Sequence, residues 1–252
     1  MEGPFISVSK KGAQDERNII PCDAALFREF QEAARGLIRF IGVAPETGLD
    51  RTLDFIREVK GEVSVSLAHT NASYTDAKAA FDAGACHAVH LFNAMPAFTH
   101  REPGVVGAVF DSKHVFAELI CDGVHIHPAM VRAAFAMMGA ERICLISDSM
   151  RAAGMPDGSY TLGGLAVNVS GKHATLAEGG ALAGSVTNLA DCMRTAVKEM
   201  NIPLEEAIRC ATLNPARALH LEHRYGSIAP GKTGNLVLLN PDLSLKQVIV
   251  NG

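Results

Sequence analysis

No stretch of the 252-residue sequence approaches the roughly 18 uninterrupted apolar residues of a membrane-spanning helix, and the start shows no charged segment leading into a short apolar one. Those absences point to a cytoplasmic protein with no membrane partner. Clustered basic charge is missing too. The 23 Lys and Arg are scattered among 27 Asp and Glu, for a formal charge of −4, which leaves no positive stripe for nucleic acid. The six cysteines, Cys22, Cys86, Cys121, Cys144, Cys192 and Cys210, lie far apart and form no Cys-x-x-Cys pair, so they read as buried reduced thiols acting as small hydrophobes. No internal repeat or low-complexity segment is visible.

What is present is an ordinary globular composition, 48% hydrophobic and 20% charged, with chain enough for one large domain or two small ones. From Leu37 to Ser147 apolar runs alternate with helical patterns. LIRFIGVA (37–44) precedes a helical stretch near 50–60, VSVSLA (63–68) precedes YTDAKAAFDAGA (74–85), and CHAVHLF (86–92) leads into a Gly/Pro loop. VFAELIC (115–121) precedes PAMVRAAFAMMG (128–139), and RICLIS (142–147) follows. This alternation predicts parallel strands with helical crossovers. Beyond Asp148, SYTLGGLAVNVSGKHATL (159–176) predicts a β excursion, residues 184–200 and 203–219 predict helices, and residues 226–252 a turn-rich β segment.

Polar residues of catalytic type fall at the C-terminal ends of these strands: His69, His90, the Asp122 to His127 stretch and Asp148. That is where a (β/α)8 barrel keeps its active site. Two imidazoles and a carboxylate at a barrel mouth suit a borderline-soft divalent ion such as zinc, with a position left open for water. His100, His114, His173, His220 and His223 lie in loops or polar segments and His87 starts its strand, so these read as structural; His127, on the same side of an extended segment as His125, stays open. EGPFI (2–6) reads as a further internal strand carrying Glu2. With it six strand candidates are found, where a closed barrel needs eight.

EGPFI with KKGAQD, AHTNA (68–72), VHLFNAM (89–95) with REPG (101–104), DGVHIH (122–127), LISDSM (145–150), DGSYTLGG (157–164), ALAGS (181–185) and ATLNPARAL with GSIAPGKTGNLV together resemble the N-acetylglucosamine-6-phosphate deacetylase family of the amidohydrolase superfamily. The resemblance implies metal-dependent hydrolysis of N-acetylglucosamine 6-phosphate to glucosamine 6-phosphate and acetate by a homodimer. It implies a (β/α)8 barrel, here expected to be incomplete at its N-terminus and to span residues 1–224, with residues 225–252 as the C-terminal β segment of a small β-sandwich.

It implies Glu2, His69 and His90 as ligands of a divalent metal, Zn2+ or alternatively Fe2+ or another such ion, and Asp148 as the catalytic acid/base. His125 would assist catalysis and, with Ala13, Gln14, Asn93, Ala94 and Arg101, contact the sugar phosphate, while Leu182, Ala183 and Gly184 close the pocket. One departure is Gln14, where the family commonly carries His; an amide still donates a hydrogen bond but cannot become cationic. Two other readings stay open: an amidohydrolase acting on a different amide, and a non-catalytic fragment.

Overall fold

The structure, a computed structural model, describes all residues from 1 to 252. Helix α1 (Ala24–Ala33) precedes a parallel sheet of β1 (Phe40–Val43), β2 (Ser64–Leu67), β3 (His87–Ala88), β4 (Phe116–Ile120) and β5 (Ile143–Ile146), arranged in chain order. The crossovers carry α2 (Leu49–Val59), α3 (Tyr74–Ala83), α4 (Gly104–Asp111) and α5 (Pro128–Met138). Successive parallel strands joined by helices, with the strand order following the chain, form an arc of a (β/α)8 barrel.

Side chains alternate across this arc with period two. Ile41 and Val43, Val65 and Leu67, Ala88, Ala117 and Leu119, and Ile143 and Leu145 are buried in the main core, which also takes Ile56, Phe81, Val109 and Phe135 from the crossover helices. The register places the intervening residues opposite one another on the other face: Phe40 beside Ser64, Ser66 beside His87, His87 beside Phe116, and Glu118 beside Cys144. The arc therefore has an apolar back and an inner face that mixes aromatic rings with Ser64, Ser66, His87 and Glu118, and the inner face leads to the strand ends where the cluster sits.

Two helices lie where the sequence pattern showed none. One is α1, started by Asp23, whose side chain accepts from the Leu26 N–H. The other is α4, whose Gly104, Gly107 and three valines are weak helix formers, yet all but its last residue are buried, so packing overrides propensity. Conversely, EGPFI makes one parallel bridge, Phe5 to Val43, instead of a strand. Gly3 is left-handed (φ +89°) and Pro4 has no N–H to give a ladder. The segment is anchored all the same. Gly42 donates to the Met1 carbonyl and Ala44 to that of Phe5, both at 2.9 Å, and the fully buried Phe5 ring packs edge-on against Phe55 at 5.3 Å.

After β5 the chain builds an antiparallel sheet of β6 (Gly158–Leu162), β7 (Leu165–Ser170) and β8 (His173–Leu176). Its small core of Met150, Ala152, Val167, Val169, Ala174 and Ala183 also receives Ala13, so this sheet ties the end of β5 to the loop near the other edge of the arc. Helices α6 (Leu189–Lys198), α7 (Leu204–Ala211) and α8 (Leu213–Ala218) follow. Residues 203–219, expected as one helix, break at Thr212 because Pro215 cannot donate to the carbonyl four residues back. The tail forms a hairpin of β9 (Leu236–Leu239) and β10 (Leu245–Ile249). No helix is long and apolar enough to cross a membrane.

Candidate active site

Three side chains from three separate elements converge at the strand ends. Glu2 Oε1 lies 2.8 Å from both His69 Nε2 and His90 Nε2, and the two imidazole nitrogens are 3.1 Å apart. His69 follows β2 in a left-handed conformation (φ +45°) and His90 follows β3 in another (φ +32°), which turns both rings off their strands toward Glu2. Both histidines are buried, whereas the Glu2 side chain is 39% exposed and forms the open side of the cluster.

The chemistry of this donor set fits a cation. His69 Nδ1 is 2.7 Å from the Lys10 carbonyl, which can only accept, so the ring proton sits on Nδ1 and Nε2 carries a lone pair. That lone pair faces a carboxylate oxygen and a second imidazole nitrogen. Without a cation the cluster needs a shared proton; with one, all three donor atoms, which lie within 4.8 Å of one another, have a common partner. The Lys10 carbonyl then orients a metal ligand from behind. Burial alone would raise the Glu2 carboxyl, but the two imidazoles set against it hold it far below the usual carboxylate range. At His90 burial lowers the imidazole, and the Glu2 hydrogen bond and charge outweigh it, raising the net value.

Asp148, just beyond β5 and itself left-handed (φ +49°), faces the same cluster. Burial raises its carboxyl first and the Glu2 charge raises it further, against the pull of His90, His125 and His69. A carboxyl placed in this way is suited to taking and returning a proton. The segment Leu182–Ser185, which makes isolated bridges from Leu182 to Thr175 and from Ser185 to Ser149, runs beside it. Ser185 donates to the Asp148 carbonyl at 2.7 Å, Ala183 is buried, and a Cβ on the left-handed Gly184 would lie 3.0 Å from that same carbonyl.

His125 follows β4 and is held by Asp122, whose Oδ2 lies 2.7 Å from His125 Nδ1; both side chains are nearly inaccessible. His127, left open by the sequence, caps α5, its Nδ1 accepting from the Ala129 N–H at 3.2 Å. In the loop after β3, Asn93 donates to the Leu91 carbonyl at 3.3 Å and Ala94 accepts from Thr70 at 3.1 Å. Gln14 Nε2 donates to the Glu2 main-chain carbonyl at 3.1 Å, so it braces the segment carrying Glu2. Arg101 is exposed.

Several supporting residues carried no sequence signal. Glu46 accepts from the Thr70 hydroxyl and the Asn71 N–H, both at 2.6 Å, and fixes the loop after His69. Lys10 Nζ reaches the Met95 carbonyl at 3.0 Å, joining the Ser7–Gln14 segment to the loop after His90. Asp122 was visible only as part of a polar stretch, and its partner could not be read without the turn that folds residue 125 back onto it.

Comparison with known proteins places this geometry in a class. The amidohydrolase family model matches residues 1–252, and the chain belongs to the amidohydrolase family. It is 38% identical over 253 residues to N-acetylglucosamine-6-phosphate deacetylase of Bacillus subtilis (strain 168), covering 100% of this chain and 63% of that protein. It is equally 38% identical over 253 residues to N-acetylgalactosamine-6-phosphate deacetylase of Escherichia coli O157:H7, covering 100% and 66%. Among solved structures, a mutant N-acetyl-D-glucosamine-6-phosphate deacetylase of Mycobacterium smegmatis in complex with N-acetyl-D-glucosamine-6-phosphate superimposes with a TM-score of 0.94 at 36% identity, covering 99% of this chain and 66% of that one. The Thermotoga maritima N-acetylglucosamine-6-phosphate deacetylase gives 0.89 at 33% identity, covering 99% and 67%. The chain thus spans just under two thirds of the two curated relatives' length.

Proposed function

We propose that this chain carries the active site of a metal-dependent deacetylase that hydrolyses N-acetylglucosamine 6-phosphate to glucosamine 6-phosphate and acetate. The observation that carries the reading is the Glu2, His69 and His90 cluster with Asp148 beside it. It is supported by 38% identity to a deacetylase of that name.

Glu2, His69 and His90 would hold the metal, and Zn2+ suits two imidazoles and a carboxylate best, with Fe2+ or another divalent ion as alternatives. When bound, such an ion supplies Lewis acidity toward water and toward the acetyl carbonyl. Asp148 takes the proton of the attacking water as the C–O bond forms and the carbonyl electrons move to oxygen, then returns it to the amine nitrogen as the carbonyl re-forms and the C–N bond breaks, so that water is the only other reactant consumed. His125, held at Nδ1 by the Asp122 carboxylate, stabilises the acetyl oxygen as charge develops there. Arg101 offers a planar fork to the phosphate. Ala13, Gln14, Asn93 and Ala94 line the sugar, and Leu182, Ala183 and Gly184 cover it. The reading includes a cytoplasmic homodimer.

The test is acetate release by the metal-loaded protein from N-acetylglucosamine 6-phosphate and from unphosphorylated N-acetylglucosamine. Release from the phosphorylated sugar should be far faster; equal rates would remove phosphate and Arg101 from the reading. The equal identity to a galactosamine-type enzyme gives the same support to a second reading, in which the C4 epimer N-acetylgalactosamine 6-phosphate is the substrate. Ranking kcat/KM for the two epimers decides it.

A further inference from the structure

The two histidines of the cluster are oriented by different devices. His69 has a main-chain acceptor on Nδ1, the Lys10 carbonyl, whereas His90 Nδ1 is buried with no hydrogen-bond partner. Outside the cluster itself, where Nε2 meets Glu2 and His69, no contact of the ring sets the direction of His90. Its strand is of little help. β3 has only two residues, and the chain beyond it alternates through three left-handed non-glycine positions, His90 (φ +32°), Phe92 (φ +78°) and Ala94 (φ +51°). Each is disfavoured for an L-residue and persists only where the surroundings enforce it.

Glu118 on β4 supplies the enforcement. Its Oε2 accepts the His90 main-chain N–H at 3.2 Å, and its own main-chain carbonyl accepts the Leu91 N–H at 2.8 Å. Its Oε1 lies 2.9 Å from His87 Nε2. The His87 ring is almost inaccessible and lies against two aromatic rings, Phe40 at 4.7 Å and Phe116 at 6.3 Å, so Glu118 is braced by an immobile partner. An apolar residue at position 118 would leave the His90 N–H and the His87 ring without partners. Glu118 has no part in the proton transfers above, so a polar role in the reaction does not account for it.

We infer that Glu118 is a positioning residue for His90, fixing through the main chain the one histidine of the cluster whose ring has no orienting hydrogen bond from outside it, with His87 as its brace. The inference rests on the reading of His90 as a ligand. It is tested on the whole chain with Co2+ as the probe metal and with amide hydrogen exchange on the metal-free protein. Glu118→Ala should lower Co2+ affinity about 10–100-fold, the usual cost of losing an outer-shell partner. Exchange of the His90 amide should accelerate at least tenfold while that of Leu91, bonded to the main-chain carbonyl, stays slow. Glu118→Gln, which keeps an acceptor for the His90 N–H, should stay within a few-fold of wild type on both readouts.

Unchanged affinity and exchange in Glu118→Ala would overturn the assignment. So would equal acceleration at His90 and Leu91, which marks general loosening, or a Gln variant as impaired as Ala. Should Glu118→Ala not melt cooperatively, His87→Phe decides: it fills the aromatic slot but removes the brace, and must speed His90 exchange selectively or the assignment fails. If the wild-type chain takes up no Co2+, the ligand reading fails on its own, and the exchange experiment still decides what holds His90.

Discussion

Asp122 and His125 form a pair in which one carboxylate oxygen lies 2.7 Å from the imidazole Nδ1 while the other accepts the main-chain N–H groups of Val124 and His125, both at 2.9 Å. One side chain thereby fixes both the turn after β4 and the ring that the turn carries. Asp122→Asn preserves the shape but not the chemistry. Its amide would place an NH2 group against Nδ1 where a carboxylate oxygen stood, so the contact that holds the ring is lost. Turnover should fall about 10²–10³-fold, the cost of an oxyanion donor, with metal content unchanged. Steady-state kinetics alongside metal analysis check this, and wild-type kcat would remove His125 from the proposed chemistry.

The same pair makes a stability prediction. Burial pushes the Asp122 carboxyl up, but the hydrogen bonds from His125 and the two amides outweigh it and leave it below its usual 3.8. The folded state therefore holds fewer protons on Asp122 than the unfolded state does between the folded value and 3.8. Its contribution is fully present above that range and is lost as pH falls through the folded value. Urea melts of metal-free protein should show wild type losing stability more steeply than Asp122→Asn below about pH 4. Parallel slopes would mean that the carboxylate gains nothing from its partners.

Asp148 and the ligands should separate cleanly by mutation. Asp148→Asn is expected to abolish turnover and leave metal content nearly intact, since the role proposed for it is to move protons. His69→Ala and His90→Ala should lose metal first, each removing one of three donor atoms. An Asp148→Asn protein keeping most of its kcat would exclude it as acid/base.

The sequence pattern reached the site further than it reached its supports, for a physical reason. His69, His90 and Asp148 announce themselves because each interrupts an apolar run at a strand end, and parallel strands bring such ends to one rim. Glu2 came from the family resemblance, and nothing in its neighbourhood of Gly3 and Pro4 shows that Phe5 would be the anchor. Glu118 sits inside β4, where an alternating polar residue reads as an ordinary inner-face position; its partners are an amide and a ring 28 and 31 residues away. Roles that act through main-chain groups across a sheet depend on register, and register is a property of the folded sheet. For α4 the pattern failed differently, because an element buried on all sides has no polar stripe to reveal its period.

Arg101 should matter only when phosphate is present. Arg101→Ala is expected to raise KM for the phosphorylated sugar by about 10–100-fold, the range for a hydrogen bond to a charged group, and to leave the unphosphorylated sugar unaffected. Lys at this position should recover little, because a point charge does not reproduce a bidentate fork. An equal rise in KM for both sugars would assign Arg101 to the fold and not to the phosphate.

Gly12 offers a test of how tightly the His69 ring is held. It is left-handed (φ +57°), and a Cβ there would lie 3.2 Å from His69 Cε1 and 3.6 Å from Nδ1, the nitrogen held by the Lys10 carbonyl two residues earlier. Gly12→Ala therefore carries two costs. The backbone conformation costs about 1–2 kcal/mol in any L-residue. The methyl group additionally presses on a ring whose opposite nitrogen is a donor atom of the cluster, and a ring moved by a few tenths of an ångström no longer directs its lone pair at the common centre. Gly36 separates the two, being also left-handed (φ +74°) with nothing within 4 Å of an added Cβ. Gly36→Ala should lose comparable stability in urea melts yet keep full metal affinity, whereas Gly12→Ala should lose both. Equal metal affinity in the two variants would show that the Lys10 to Gln14 segment does not constrain the ligand, and that the contact with Gly12 is incidental.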